Sequence, residues 1–195
     1  MTLPVIYPNA KLAYRENISF GNNIIIDDFV FIVSRWSTRL GNFVHIASFA
    51  SITGGGECII GDYSTLSSGV RIFTGTEDAI GDSLLGASIP EPFRVAIRSR
   101  VEIGKHCMIG ANSVVLPGVS IPDGVIIGAM SLVLQNTELE PWSIYAGSPV
   151  QKLRDRPNKD KVLELEKEFE RDIYMKRMIK TSTPRPPAPN PGILD

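Results

Sequence analysis

Cysteine is scarce: Cys58 and Cys107 are the only two among 195 residues, and neither belongs to a C-x-x-C pair. A disulfide framework or a cysteine zinc site therefore has no sequence support, and both residues read as small apolar fillers. Histidine is as scarce, with only His45 and His106, so a general base has few candidates. No charge of one sign dominates, because 20 Lys and Arg stand against 21 Asp and Glu. That balance offers a polyanion nothing to bind and argues against nucleic acid as a partner. Nowhere do about eighteen apolar residues run together, and the opening MTLPVIYPNAKLAY has no basic n-region ahead of a long apolar run. The expectation is a soluble cytoplasmic protein without membrane insertion. The length suits one domain with appendages and leaves no room for a separate cofactor domain.

What the chain has instead is a period of six. Aliphatic residues recur at Ile103, Ile109, Val115, Ile121, Ile127, Val133 and Leu139. Four positions after each of the first six comes a small or β-branched residue: Cys107, Ser113, Val119, Val125, Ser131 and Thr137. Earlier in the chain the spacing appears as triplets, Phe20, Ile26, Ile32, then Leu40, Ile46, Ile52, then Ile60, Leu66, Ile72. Each triplet opens with a Gly and an Asn or Asp behind its first member (Gly21-Asn22, Gly41-Asn42, Gly61-Asp62), residues that tolerate positive φ at a corner. A period of six fits neither a helix nor simple alternation, but it fits a short strand and a corner, repeated three times per turn. The aliphatics then point inward and stack on their counterparts about 4.8 Å along the axis. Each contributes about 1.5–3 kcal/mol, and no coil hides its own inner face, so stability accrues by stacking.

The register lapses between Ile72 and Ile103, which predicts an excursion over about 73–102 within a coil domain of 1–157. Long loops of this kind are usually functional. This one holds Pro90, Pro92 and Phe93 with Arg94, Arg98 and Arg100, either to cover a pocket and meet a phosphate or simply to stay solvated. Over 158–180, Val162, Leu165, Phe169 and Ile173 recur among Lys and Glu. That pattern predicts an amphipathic helix that caps the coil or packs on a neighbouring subunit. The stretch 181–195 carries five prolines and reads as an extended tail.

The I-G-x-x-x-x units at Ile60-Gly61, Ile103-Gly104, Ile109-Gly110 and Ile127-Gly128 resemble the hexapeptide-repeat acyltransferases. The resemblance runs from about residue 4 to 154. The stretch Ile103 to Ile121 (IGKHCMIGANSVVLPGVSI), followed by Pro141 to Leu153 (PWSIYAGSPVQKL), is similar to acetyltransferases of sugar and polysaccharide assembly. It implies an all-β solenoid, a left-handed parallel β-helix. The hand comes from the resemblance alone, since the ordinary crossover rule favours the right. It further implies acetyl-CoA as acyl donor, a hydroxyl or amine of a sugar, nucleotide sugar or surface-polysaccharide precursor as acceptor, and a homotrimer with active sites at its seams. A γ-class carbonic anhydrase shares the fold, but its zinc needs three histidines and this chain has two, so no metal is expected. A xenobiotic or antibiotic acetyltransferase of the same fold and a non-catalytic scaffold stand as alternatives; a scaffold would not bind CoA.

Acyl transfer needs a base for the acceptor's proton and a donor for the developing oxyanion. His45 lies between inward Val44 and Ile46, so alternation turns its ring outward, onto the surface the family uses. His106, just before inward Cys107, also faces out and is the other candidate. The segment His45 to Glu57 (HIASFASITGGGE) resembles the part of sugar acetyltransferases that passes the active cleft, which favours His45. Some family members carry the catalytic histidine in a segment resembling Phe73 to Asp78 (FTGTED), where this chain has Glu77. A 20-residue coil offset would set Glu57 beside Glu77, either to shift one carboxyl's pKa, to orient an imidazole, or as two corner residues in water. Gly54-Gly55-Gly56 either offers backbone donors near the thioester or turns a corner. The resemblance also implies a pantetheine groove along Gly110-Ala111 and Gly128-Ala129. Trp142 would flank that groove or close the core, Lys152 and Arg154 would meet the nucleotide phosphates, and Arg94 and Arg98 the acceptor.

Overall fold

The computed structural model describes residues 2–78 and 80–179. Residues 2–157 wind into a three-walled parallel β-solenoid of about seven turns. Wall A stacks Val5–Ile6, Ile25–Ile26, His45–Ile46, Thr65–Leu66, Met108–Ile109, Ile126–Ile127 and Ser143–Ala146, with Gln151–Asp155 added antiparallel at the end. Wall B runs from Lys11–Ala13 to Leu132–Val133 in six strands, and wall C from Ile18–Phe20 to Ser120–Ile121 in five. The chain visits A, B and C in turn.

The inward column is continuous. Ile26, Ile32, Leu40, Ile46, Ile52, Ile60, Leu66, Ile72, Ile103, Ile109, Val115, Ile121, Ile127 and Val133 are all buried, while Phe20 and Leu139 cover its two ends half-buried. The second tier is buried as well, from Cys107 through Ser131 and also at Ile24, Val30, Val44, Ala50 and Val70; Thr137 alone among the six second-tier residues is only half-buried. Cross-coil pairing runs at an offset of 20 in the early coils, as between Ile25 and His45, and at 18 in the late ones, as between Met108 and Ile126. The early coils thus carry two more residues per turn, between the strands of walls B and C.

The C–A corner departs from the expectation about glycine. Gly21, Gly41 and Gly61 do not have positive φ; that conformation falls two residues later, on Asn23, Phe43, Tyr63 and His106. The glycines are there for proximity. A Cβ at Gly21 would come within 2.5 Å of the Gly41 carbonyl carbon, and one at Gly61 within 2.6 Å of that of Gly104. Asn22, Asn42 and Asp62 form a ladder beside them, with Asn42 Nδ2 donating to Asp62 Oδ1 at 3.1 Å and Lys105 Nζ closing on Asp62 at 3.1 Å. Burial works against the Asp62 carboxylate, but the Asn42 amide and Lys105 outweigh it and lower its pKa.

The excursion leaves at the B–C corner. Phe73 still pairs with Thr53, and Val101–Ile103 already pairs with Cys58–Ile60, so the departing segment is narrower than 73–102. It is an antiparallel hairpin in which Gly75–Glu77 pairs with Ala96–Arg98. Thr74 clips its root: the buried hydroxyl donates to Thr53 O at 2.9 Å and accepts from Gly56 N–H at 3.0 Å, while Ser99 N–H donates to Thr74 O at 2.9 Å. Separately, Lys159–Ile179 forms a helix with Asp160 in its first turn, favourable to the helix dipole. Leu165 and Phe169 are exposed on it. The expected tail 181–195 lies outside the described residues.

Ile109, wholly buried between coils, tests the column. Ile109→Asp is expected to abolish any cooperative transition in urea followed by circular dichroism, whereas Ile109→Val should cost only about 0.5–1.5 kcal/mol.

Candidate functional site

Two regions of the solenoid carry chemistry, and they lie on different sides. The first is a cleft of about 300 Å³ at the B–C corner, lined by Gly54, Phe73, Gly75, Thr76, Glu77, Arg94, Ala96 and Arg98. Arg94 grips Glu77 in a two-bond fork, Nε to Oε2 at 2.7 Å and Nη2 to Oε1 at 2.8 Å. The fork holds the Glu77 carboxyl below its ordinary pKa and raises that of Arg94. Arg94 thus spends its charge on Glu77 within the hairpin. Arg98 differs: its Nε is buried and has no hydrogen-bond partner among the described residues.

Glu57 is not beside Glu77. The coil above Glu57 resumes after the hairpin, with Cys58 opposite Val101, so Arg100 takes the place that a uniform 20-residue offset gave to Glu77. Glu57 accepts from Arg39 at 2.8 Å and from Ser37 at 3.2 Å, with Arg100 at 3.8 Å. It braces wall C and does not reach His45 on wall A. Gly56 likewise spends its N–H on Thr74, and a Cβ there would fall on the carbonyls of Thr74 and Ser99, so this glycine packs the corner.

The second region is the outer surface of wall A. Val44 and Ile46 are buried, and His45 between them turns outward, its side chain 41% exposed. Its strand neighbours are Ile25 and Thr65. The imidazole Nε2 lies 3.0 Å from Oδ2 of Asp27, a partner the sequence reading missed. The signal was present: Asp27 lies 18 positions earlier, just past the wall A strand of the preceding coil, on the outward parity of the same wall. With the proton on Nε2 shared toward Asp27, Nδ1 is left as an acceptor, which is the arrangement of a positioned base.

Further along the same wall, Gly110, Gly128 and Ala146 stack at the A–B corner. Cβ atoms at Gly110 and Gly128 would strike Ala129 N and, at 2.9 Å, Ala146 Cβ. These glycines therefore serve coil packing; the small side chains that keep the corner surface low are Ala111 and Ala129, half-buried and exposed. Trp142 is not beside them. It occupies the C–A corner in a column with His106: the His106 ring stacks on Tyr63 at 5.1 Å and tilts against Trp142 at 5.7 Å. Arg156 closes that column, 5.1 Å over the indole, with Nη1 donating to His106 O at 2.6 Å. His106, held there, is a corner-stacking residue and does not face wall A beside His45. Lys152 is clamped by Asp155 at 2.7 Å and Glu140 at 2.8 Å, which raises its pKa, so its charge is already compensated. Arg154 sits opposite Ile144 on the exposed terminal strand.

Among the described residues no helix is long and apolar enough to cross a membrane. A family model described as bacterial transferase hexapeptide (six repeats) matches residues 100–135. The dTDP-4-amino-4,6-dideoxy-D-glucose acyltransferase of Escherichia coli is 36% identical over 155 residues, which span 79% of each chain. A variant of AntD, an N-acyltransferase from Bacillus cereus solved with dTDP-4-amino-4,6-dideoxyglucose and coenzyme A, superposes with a TM-score of 0.78. It is 34% identical, and the match covers 86% of this chain and 87% of that one. The putative lipopolysaccharide biosynthesis O-acetyl transferase WbbJ of Escherichia coli K12 is 28% identical over 150 residues, 77% of this chain and 66% of that protein.

Both thiols are buried and held in the neutral form. Burial, seconded by the charge of Glu57, pushes Cys58 up to about 12, and burial pushes Cys107 up to about 11. A thiolate nucleophile is therefore scarce at pH 8. The native protein is expected to leave Ellman's reagent unreacted at that pH, and the urea-unfolded protein to release two equivalents of chromophore.

Proposed function

The chain belongs to the hexapeptide-repeat acyltransferase family, and on that footing we propose that it moves an acetyl group from acetyl-CoA to an amine or hydroxyl of a nucleotide-linked sugar, with His45 as general base. Identity with a nucleotide-sugar acyltransferase across most of both chains carries this reading. The outward His45–Asp27 pair supplies its chemistry. The thioester is the acyl source.

The acceptor's lone pair attacks the thioester carbonyl carbon, a new C–N or C–O bond forms, and the C–S bond breaks. The proton leaving the acceptor passes to His45 Nδ1 and from there to the departing sulfur. Asp27 holds the ring in the required tautomer and stabilises the imidazolium while it lasts. No cysteine takes part, in keeping with two buried neutral thiols. The pantetheine arm lies along the A–B corner over Ala111 and Ala129. Ala111 lies two coil spacings from His45 and Ala129 three, roughly 10 and 14 Å along the axis.

The acceptor is held at the B–C corner, where the guanidinium of Arg98, whose buried Nε is without a hydrogen-bond partner among the described residues, meets a phosphate. Wall A is bounded by the other two corners, so His45 and Arg98 of one copy do not face each other. A homotrimer that sets wall A of one copy against the B–C corner of the next brings them together. Both substrates of this reaction belong to the cytoplasm, where we place the enzyme.

His45→Ala is expected to lower turnover by roughly a hundred- to ten-thousandfold with CoA affinity nearly unchanged; thiol release at the wild-type rate would remove His45 from the role. Light scattering should report three chains. Co-expressed His45→Ala and Arg98→Gln chains should regain a fraction of wild-type activity, because mixed trimers restore intact seams, and lack of any recovery would place each site within one copy.

A further inference from the structure

The B–C corner, where Arg98 meets the acceptor in the proposed reaction, continues below the cleft into the preceding coils, and that lower stretch has no role in it so far. Wall C pairs Ser37 with Glu57 and wall B pairs Ile32 with Ile52, so Arg35 stacks below Gly55 and Trp36 below Gly56. Gly55 has φ +77, and a Cβ there would press on Arg35 Cβ and Cδ at 3.3 Å and on Arg98 Nε at 3.4 Å. Bare backbone thus runs between the stems of two arginines from different coils. The coil below is held in place: Asn17 Nδ2 donates to the carbonyls of Ser34 and Arg35 at 3.0 Å each, and the Arg35 guanidinium lies 5.8 Å over the Tyr14 ring. On this fixed turn Trp36 is 57% exposed.

We infer that this corner binds the nucleoside diphosphate part of the acceptor, Arg98 taking a phosphate across Gly55 and Trp36 giving the base its stacking face. The inference rests on the acceptor being nucleotide-linked and assigns the residues that recognise the nucleotide. Hydrogen bonding favours Arg98 for the phosphate: Arg94 is forked to Glu77, and Arg100 is paired with Glu102 and Glu57, whereas Arg98 feels Glu77 only through space and has a buried donor left over. An unpaired buried N–H costs free energy that an anionic oxygen recovers. Trp36 lies one coil, about 4.8 Å, below Gly56, a separation that ribose bridges. A turn whose backbone is already fixed by Asn17 offers the exposed Trp36 ring as a face on which a base stacks.

Calorimetry with two probes, dTDP and inorganic pyrophosphate, separates the two contacts. Arg98→Gln is expected to weaken both probes by roughly tenfold or more. Trp36→Leu should weaken dTDP by roughly five- to hundredfold and leave pyrophosphate within about twofold, while Trp36→Phe, which keeps a ring, retains most dTDP affinity. Wild-type dTDP affinity in Trp36→Leu overturns the assignment, as does equal loss of both probes in that variant. If either occurs while acyl transfer to a dTDP-aminosugar persists, the acyltransferase reading stands and only this subsite falls. If the wild type acylates free sugars but binds no dTDP, the nucleotide-linked acceptor falls with it.

Discussion

Amide-to-carbonyl bonds between successive coils set the geometry on which every other feature hangs. Gly21 N–H donates to Leu40 O, Gly41 N–H to Ile60 O and Gly61 N–H to Ile103 O, at 2.7 to 2.8 Å, and similar bonds recur on all three walls. They hold each coil at strand spacing from the next, close enough that a Cβ on the stacked corner glycines would meet backbone. Under that constraint the inward aliphatics have one place to go, and the outward side chains are presented in fixed rows. His45 owes its exposure to Val44 and Ile46 being buried on either side.

The same constraint explains which features were legible in the sequence. Inward positions repeat every six residues because strand and corner repeat together, so Ile103 to Val133 were readable as a column with no knowledge of the pairing. The outward turn of His45 followed from alternation alone. Contacts between coils were harder, because they depend on an offset that changes along the chain: 20 residues below the excursion, 43 across it and 18 above it. A uniform 20 set Glu57 against Glu77, whereas the hairpin removes Glu77 from the stack and brings Arg100 to that place. Asp27 escaped notice because its side chain reaches diagonally to His45 instead of along the register. Trp142 and Gly110 look like neighbours by family likeness, yet they belong to corners on opposite sides of wall A.

Corner residues were misread for a related reason. Glycine at a bend invites an explanation by φ, but at the C–A corner Phe43, Tyr63 and His106 adopt the left-handed conformation and glycine is spent on closeness. Rings placed there gain from stacking on each other, Phe43 on Tyr63 at 5.2 Å and Tyr63 on His106 at 5.1 Å. A histidine in such a column answers to its neighbours above and below, which distinguishes it from one standing in a hydrogen bond on an open wall.

Thr74 and Ser99 join the two ends of the hairpin at its root, so the coil runs past the insertion as though the chain were continuous there. An insertion sealed in this manner transmits little to the walls that carry it. Its length and lining are then free to vary while the rest of the scaffold keeps its register, so the cleft at the B–C corner can change shape with wall A left as it is.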